Sequence, residues 1–402
     1  MPGWHDATEQ LQQQGKLRMV GIIQEQHPDR CRLFMQWKGM DWPVLVDAYD
    51  RLGVSVVPIT LLIDEHGIVR FSVPSISRAK EQLETFLATT YEAPRNLPES
   101  PHVPELKAMA RTACAAVSAE AWTDYADALA LWAEDERLDD AMVAYRRALD
   151  SDTEHAPAEF RLGVTYLRRY DSGRGGPEDF TRAVEHWTRA LELDPNNYIW
   201  RRRIQQYGPR LDKPYPFYDW VDQARADIEE RGESPVALRV APRGAELADP
   251  SRELETTEPS EEPDPTGRIL RDEGKLVTVE ATLVPNAVQP GRTTRVHLEL
   301  RPSVVEDAHW NNEVGGLVVW VEPPAGWQVD RRLLAPPHPP AAVSEEPRHV
   351  EFEIRSPEDA SGAVELPGYA LYYVCEGLRG ACLYRRQDLR VPIGVAREAN
   401  GG

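Results

Sequence analysis

Cysteine is scarce, with 4 in 402 residues, at Cys31, Cys114, Cys375 and Cys382. So low a number excludes a small scaffold stapled by disulfides, and only the last two lie near one another in sequence. Positive charge is also short: Lys and Arg total 46 against 66 Asp and Glu, a formal net charge of -20. Neutralising a phosphate backbone needs the opposite excess, so a general nucleic-acid binder is excluded. Long apolar runs are missing too. Nothing approaches the roughly 18 residues of a membrane span, and the opening MPGWHDATEQLQQQGK has no apolar stretch of the signal-peptide kind. The chain as it stands is therefore expected to carry neither a membrane span nor an export signal. There is no phosphate loop, Gly-x-Gly-x-x-Gly fingerprint or Ser-His-Asp constellation, which leaves kinase, dehydrogenase and hydrolase readings without residues. His5, His27 and His66 have no metal-ligand spacing, so no metal is expected, and no motif asks for a cofactor.

What the chain has is length and proline. At roughly 150 residues per domain, 402 residues imply two or three domains. Proline reaches 34 residues, above the roughly 5% that is usual, with most of the excess after residue 208. That asymmetry predicts a helix-rich first half and a strand-and-loop second half. Hydrophobic content of 41% and charged content of 28% are those of a globular chain.

Residues 1–92 read as a first domain. A helix is expected from His5 to Gln13, a buried parallel strand over Leu17–Ile23 (LRMVGII) and a helix over Asp29–Lys38. A β-rich run over Val54–Asp64 passes through the turn signal Glu65-His66-Gly67 into a strand over Ile68–Val73, and a helix over Arg78–Thr89 closes the segment. With its stretch VVPITLLIDEHGIVR, Val56 to Arg70, this order resembles the thioredoxin-like fold in its TlpA and redoxin branch. The resemblance implies that Pro58 is a cis-proline and that Val57 and Pro58 receive a substrate backbone opposite redox cysteines. It also implies that the first core strand and a Cys-x-x-Cys motif lie upstream of this sequence; the alternative is a degenerate domain without chemistry. Cys31, between Arg30 and Arg32 and four residues after His27, is read as a small buried hydrophobe, since it lies beyond the second family strand and away from Pro58.

Helical periodicity fills residues 104–232, after a proline- and charge-containing linker over Tyr91–Val103. Ala183, Trp187, Ala190 and Pro195 follow Leu162-Gly163-x-x-Tyr166, and an earlier copy has Trp122, Tyr125, Ala126 and Leu129 followed by Ala141, Tyr145 and Ala148 at the same intervals. These spacings resemble the tetratricopeptide repeat, in which small residues let paired helices approach and aromatics fill between neighbours. Leu106–Val117 is expected to open the stack, with Cys114 packed among alanines, and Asn197–Tyr207 to cap it. The aromatics Tyr198, Trp200, Tyr207, Tyr215, Phe217, Tyr218 and Trp220 are read as packing of that cap, and Arg201-Arg202-Arg203 as a solvated helix face. A last helix is expected near Val221–Arg231.

Residues 244–268 hold eight acids, two bases and four prolines and read as a flexible acidic linker. Residues 269–397 are expected to be all-β, with strands at Leu276–Leu283, Thr293–Leu300, Gly316–Glu322, His349–Arg355, Ala363–Leu366, Ala370–Cys375 and Asp388–Val395. The alternation in Val296-His297-Leu298-Glu299-Leu300 is that of a strand with one buried face, and the set suggests a β-sandwich. His309, in DAHWNNE, is read as part of a charged loop. The ending GYALYYVCEGLRGACLYRRQDLRVPI, Gly368 to Ile393, resembles the immunoglobulin-like amino-terminal domain of DsbD. That resemblance implies that Cys375 and Cys382 form a redox pair, with Tyr369, Tyr372, Tyr373 and Tyr384 around it. A structural hairpin staple stays equally open at this point. Arg379, Arg385 and Arg386 would supply positive charge to a redox pair.

The fold expectation is thus multidomain: an incomplete α/β thioredoxin-like domain, an all-α helical repeat and an all-β immunoglobulin-like sandwich. The functional expectation is a thiol-disulfide or peroxide-related oxidoreductase acting on a redox partner protein. The alternative is a non-catalytic scaffold that holds client proteins through the helical module. By the DsbD resemblance the compartment would be the bacterial periplasm; without it, the cytoplasm.

Overall fold

A computed structural model describes residues 2–54, 57–73, 76–95, 103–133, 135–176, 178–211, 220–240, 254, 256, 260–377 and 380–396. The chain is multidomain and carries both helices and sheets, dividing into two compact units. Residues 1–165, 189–203 and 217–241 make the first, and 166–188, 204–216 and 242–402 the second.

The first unit begins α1 (Pro2–Gln13), β1 (Gly21–Ile23), α2 (Asp29–Lys38), β2 (Val44–Val46), β3 (Thr60–Ile63), β4 (Val69–Val73), α3 (Ile76–Ala88). Helix α2 has Asp29 in its first turn, Lys38 in its last, and stops at Gly39, whose φ of 63° is open to glycine. The strands form two separate ladders, β1 parallel to β2 and β3 antiparallel to β4. Strand β2 was not anticipated; the strand expected over residues 17–23 forms only over its last three, and that expected over 54–64 is seen at 60–63, with residues 55 and 56 outside the described residues. Leu62, Leu83 and Phe86 gather Trp4, Leu11 and Phe71 into a small core, yet Val20, Ile22, Leu45, Val46, Val57, Ile59, Leu61, Ile63 and Val69 are exposed. These ladders thus present open edges and apolar faces, the condition under which a sheet accepts a further strand.

Helices α4 (Leu106–Ala116), α5 (Ala119–Trp132), α6 (Leu138–Ser151), α7 (Ala156–Asp171), α8 (Glu178–Leu193), α9 (Tyr198–Tyr207) and α10 (Trp220–Glu230) follow. The Ser118 hydroxyl accepts from Ala121 N–H and caps α5. Ala141, Tyr145 and Ala148 on α6 and Ala183, Trp187 and Ala190 on α8 are all fully buried, so the repeated spacing marks the packed face of both helices. Cys114 departs from expectation: it is exposed, and its neighbour Ala113 takes the buried position. In the first unit Asp127 of α5 meets Arg161 of α7 at 2.8 Å, and Phe160 stacks on Trp200 of α9. The arginine run is corrected as well. Arg203 is 1% exposed, lies over Phe160, and donates to Gln24 O at 2.7 Å, Ala48 O at 2.9 Å and Gln26 Oε1 at 2.7 Å, because three loop acceptors beneath α9 require a buried donor. Tyr215, Phe217 and Tyr218 lie outside the described residues.

The second unit contains β5 (Val277–Val284), β6 (Ala287–Val288), β7 (Thr293–Pro302), β8 (Ala308–Asn311), β9 (Val318–Val321), β10 (Gln328–Val329), β11 (Leu333–Leu334), β12 (Val343–Ser344), β13 (Arg348–Arg355), β14 (Ala363–Glu376) and β15 (Cys382–Val395). One sheet has the order β10-β13-β7-β5 and the other β11-β9-β14-β15-β6, with β8 paired to β12 and β14. Val296, Leu298, Phe352 and Ile354 from the first sheet share a core with Trp310, Val319, Tyr372 and Val374 from the second. Strand β7 was expected to have one buried face and has two. Phe180 packs on His297, whose Nε2 lies 2.7 Å from Tyr207 O, and Arg295 pairs with Glu351, so residues of α8 and α9 cover the polar face. The expected linker is also shorter at its end. Asp264 is buried and takes 2.9 Å and 3.2 Å bonds from Arg386 and Arg268 N–H, which ties residues 264–268 to this unit.

Candidate functional site

Cys375 ends β14 and Cys382 opens β15, and the two strands pair antiparallel in unbroken register from Ala363 opposite Gly394 to Cys375 opposite Cys382. The two sulfurs are bonded across this terminal pair. The loop between them is shaped by glycine. Gly377 has a φ of 60°, and a Cβ on Gly380 would collide with Glu376 O, a position no other residue can take. Leu378 and Arg379 lie outside the described residues.

Exposure splits the pair. Cys375 is 3% exposed, whereas Cys382 is open to solvent. Because Tyr372, Val374 and Trp310 point into the shared core, Cys375 and its cross-strand neighbours point to the opposite face. The adjacent pair on that face is Tyr373 and Tyr384, stacked at 4.4 Å. On the other flank β8 pairs with β14, with Ala308 opposite Glu376, His309 opposite Cys375 and Trp310 opposite Val374. His309 therefore sits in a strand and is 7% exposed, not in the open loop that its acidic surroundings suggest.

Of the four tyrosines expected around the pair, Tyr373 and Tyr384 are there. Tyr372 faces the core, where its hydroxyl meets Asp272 at 2.6 Å and Gln387 at 2.9 Å, and burial together with that carboxylate holds its pKa far above the ordinary phenol range. Tyr369 lies six residues back along β14, about 20 Å away at strand rise. It lies under the Arg386 guanidinium, and burial pushes its phenol up to about 12. Of the expected positive charge, Arg386 is committed elsewhere and Arg379 lies outside the described residues. Arg386 pairs with Asp264 at 2.9 Å and Asp388 at 2.7 Å, and Arg385 donates to Tyr384 O. Nearer the bond, Lys275 Nζ lies 3.5 Å from Glu306 and 3.7 Å from Glu376.

In the first unit the Val57–Pro58 bond is cis, as its resemblance implied, and both residues are exposed. The following turn is fixed by Asp64, whose Oδ1 accepts from His66 and Ile68 N–H and whose Oδ2 accepts from Arg70 Nε at 2.6 Å. Burial pushes this carboxyl upward, but those bonds outweigh it and leave its pKa below the usual value. Cys31 is half-buried, and burial, then Glu25, push its thiol up more than Arg32 lowers it. Arg30 is engaged with Glu25 at 2.7 Å, so the cation beside Cys31 does not activate it.

Among the described residues no three His, Cys, Asp or Glu side chains gather into a metal-binding group, and no helix is long and apolar enough to cross a membrane. No family model matches the chain, and no curated protein does. Two solved structures overlap part of it. One, described as "AvmM Catalyzes Macrocyclization in Alchivemycin A Biosynthesis", is 12% identical with a TM-score of 0.17, covering 33% of this chain and 98% of its own. The other, the ASH / PapD-like domain 7 of human CEP192, is 15% identical with a TM-score of 0.16, covering 36% of this chain and 94% of its own. Overlap this weak carries no argument about fold or function.

Proposed function

We propose that this chain is a thiol-disulfide exchange protein whose working group is the Cys375–Cys382 bond. The observation that carries the reading is the asymmetry of the pair: Cys382 is an exposed residue at a hairpin end and Cys375 a buried one. Exchange requires in-line access to one sulfur and a stabilised leaving thiolate at the other. A staple needs neither, since a bond sealed on both sides would hold the hairpin as well. In this reading the all-β unit is an immunoglobulin-like, DsbD-like domain. The stacked Tyr373 and Tyr384 sit next to the bond on the same face, and Cys382 is taken as the point of entry.

The same reading takes the helix pairs α5–α6 and α7–α8 as tetratricopeptide-like repeats that hold a protein partner, on the strength of their matching buried Ala-aromatic-Ala positions. It takes residues 1–92 as a thioredoxin-like domain, supported by the Asp64 turn that joins β3 to β4. Val57 and Pro58 then form the ledge for an extended peptide.

The direct test is capture. In a Cys375→Ser chain, Cys382 retains a free thiol and should form a mixed disulfide with oxidised glutathione, read at that cysteine by peptide mass spectrometry because exposed Cys114 also reacts. The Cys382→Ser chain, with only buried Cys375, should not. Equal trapping, or none, would contradict the reading.

A non-catalytic scaffold is the second reading, favoured by two observations in the first unit. The thiol of Cys31 is pushed up and not activated, and Val57, Ile59, Leu61 and Ile63 expose an apolar edge suited to holding a client segment. In a scaffold, Cys375–Cys382 is structural.

A further inference from the structure

We infer that His309 donates the hydrogen bond that receives the Cys375 sulfur when the disulfide opens, an inference that rests on the exchange reading above. Three strands set the geometry. Strand β14 lies between β15 and β8, and Cys375 is the register partner of Cys382 on one side and of His309 on the other. Directly opposed residues of antiparallel strands hold their Cβ atoms about 4.5–5.5 Å apart on one face. The three side chains therefore form a row, with Cys375 in the middle. Trp310, the next residue on β8, is in the shared core, which places His309 on the face of the disulfide. The β8 strand is clamped at this level: Gly377 N–H donates to Asp307 O at 2.9 Å, closing the ladder just before the loop.

The chemistry asks for a donor here. A partner dithiol, the reductant, attacks at exposed Cys382. A bond forms between the partner sulfur and Cys382 Sγ, the Cys375–Cys382 bond breaks, and Cys375 leaves as a thiolate. The second partner thiol then displaces Cys382 from the mixed disulfide. The partner ends as a disulfide, with Cys375 and Cys382 both reduced. Cys375 is buried, and a thiolate released away from water is costly unless a donor meets it. An imidazole carries at least one N–H in either charge state. Among the described residues, Arg386 is engaged with Asp264 and Asp388, and Lys275 with Glu306 and Glu376.

The test compares the full chain with His309→Leu, which has no donor, and His309→Gln, which keeps one. Each is equilibrated in glutathione redox buffers at fixed pH and the fraction reduced is read by alkylation and mass spectrometry, with circular dichroism and thermal unfolding as controls of folding. The Leu variant should lose at least tenfold in the equilibrium constant for reduction, about 30 mV for a two-electron couple, and the Gln variant should stay within about threefold of the parent. A folded Leu variant that matches the parent, or equal losses in both variants, overturns the role of His309. If the Leu variant does not fold, His309→Met supplies the same donor-less comparison. If the parent bond does not exchange with glutathione at all, the exchange reading falls first; if the parent exchanges and the Leu variant is unchanged, only the inference about His309 falls.

Discussion

The indole N–H of Trp200 donates to the Asp50 carboxylate at 3.1 Å across 150 residues of sequence, and the other Asp50 oxygen is buried without a hydrogen-bond partner among the described residues. Asp50 is 6% exposed and adopts a φ of 50°. Burial, then the nearby Asp47, push its carboxyl up to about 6, against the pull of Trp200, Arg161 and Arg203.

The sign of the pH effect follows. The folded chain holds a proton on Asp50 between about pH 4 and 6 that the unfolded chain releases. Stability from this group is therefore fully present below about pH 4 and is lost as pH rises through 6, a change on the order of 3 kcal/mol. Denaturant unfolding of the first unit, followed by tryptophan fluorescence between pH 4 and 7.5, should show that loss. An Asp50→Asn chain should flatten the profile and be the more stable at pH 7. An unchanged slope in the variant would remove Asp50 as its source.

Asp127 sets a second expectation. It is buried, accepts from Tyr145 at 2.6 Å and pairs with Arg161 and Arg51. Removing one partner leaves an under-compensated buried charge, so Arg161→Met should cost on the order of 3 kcal/mol in denaturant unfolding, while Arg51→Met, at the more exposed partner, should cost less. Equal costs would mean that burial does not govern this cluster.

Trp187 is fully buried and stacks on Tyr207 with ring centroids 5.6 Å apart. Trp187→Ala should therefore destabilise by about 3–5 kcal/mol, read as a shift of the denaturant midpoint with little change in m. A cost under about 1 kcal/mol would place this helix face outside the core.

The free cysteines should differ in reactivity. Cys114 is exposed, whereas Cys31 is half-buried with its thiol pushed up. Iodoacetamide on the native, oxidised chain should label Cys114 first and Cys31 slowly, with Cys375 and Cys382 labelled only after reduction. Rapid labelling at Cys31 would contradict its assignment as unactivated.

Some of this architecture was legible and some was not. Helix α2 was readable to the residue because Asp29, Lys38 and Gly39 punctuate it, and the buried Ala-aromatic-Ala positions of α6 and α8 followed from spacing alone. The Cys375–Cys382 hairpin was visible as two cysteines flanking a short glycine-containing loop. By contrast, β8 is four residues long and stands out only through its pairing with β12 and β14, so His309 looked like part of a charged loop. The burial of Arg203 depends on carbonyls of Gln24 and Ala48, more than 150 residues away, which local pattern cannot convey. Strand β7 hid its second buried face for a similar reason: His297 reads as solvent-facing until Phe180 and Tyr207 cover it.

The most direct test of the account is the reduction potential of Cys375–Cys382 in the full chain, measured by thiol trapping across glutathione buffers with mass spectrometry. A thiol-disulfide exchange protein should show an exchangeable bond with a potential above about -250 mV. A bond that resists reduction to below roughly -300 mV, or that never forms, would contradict it and leave the disulfide a staple.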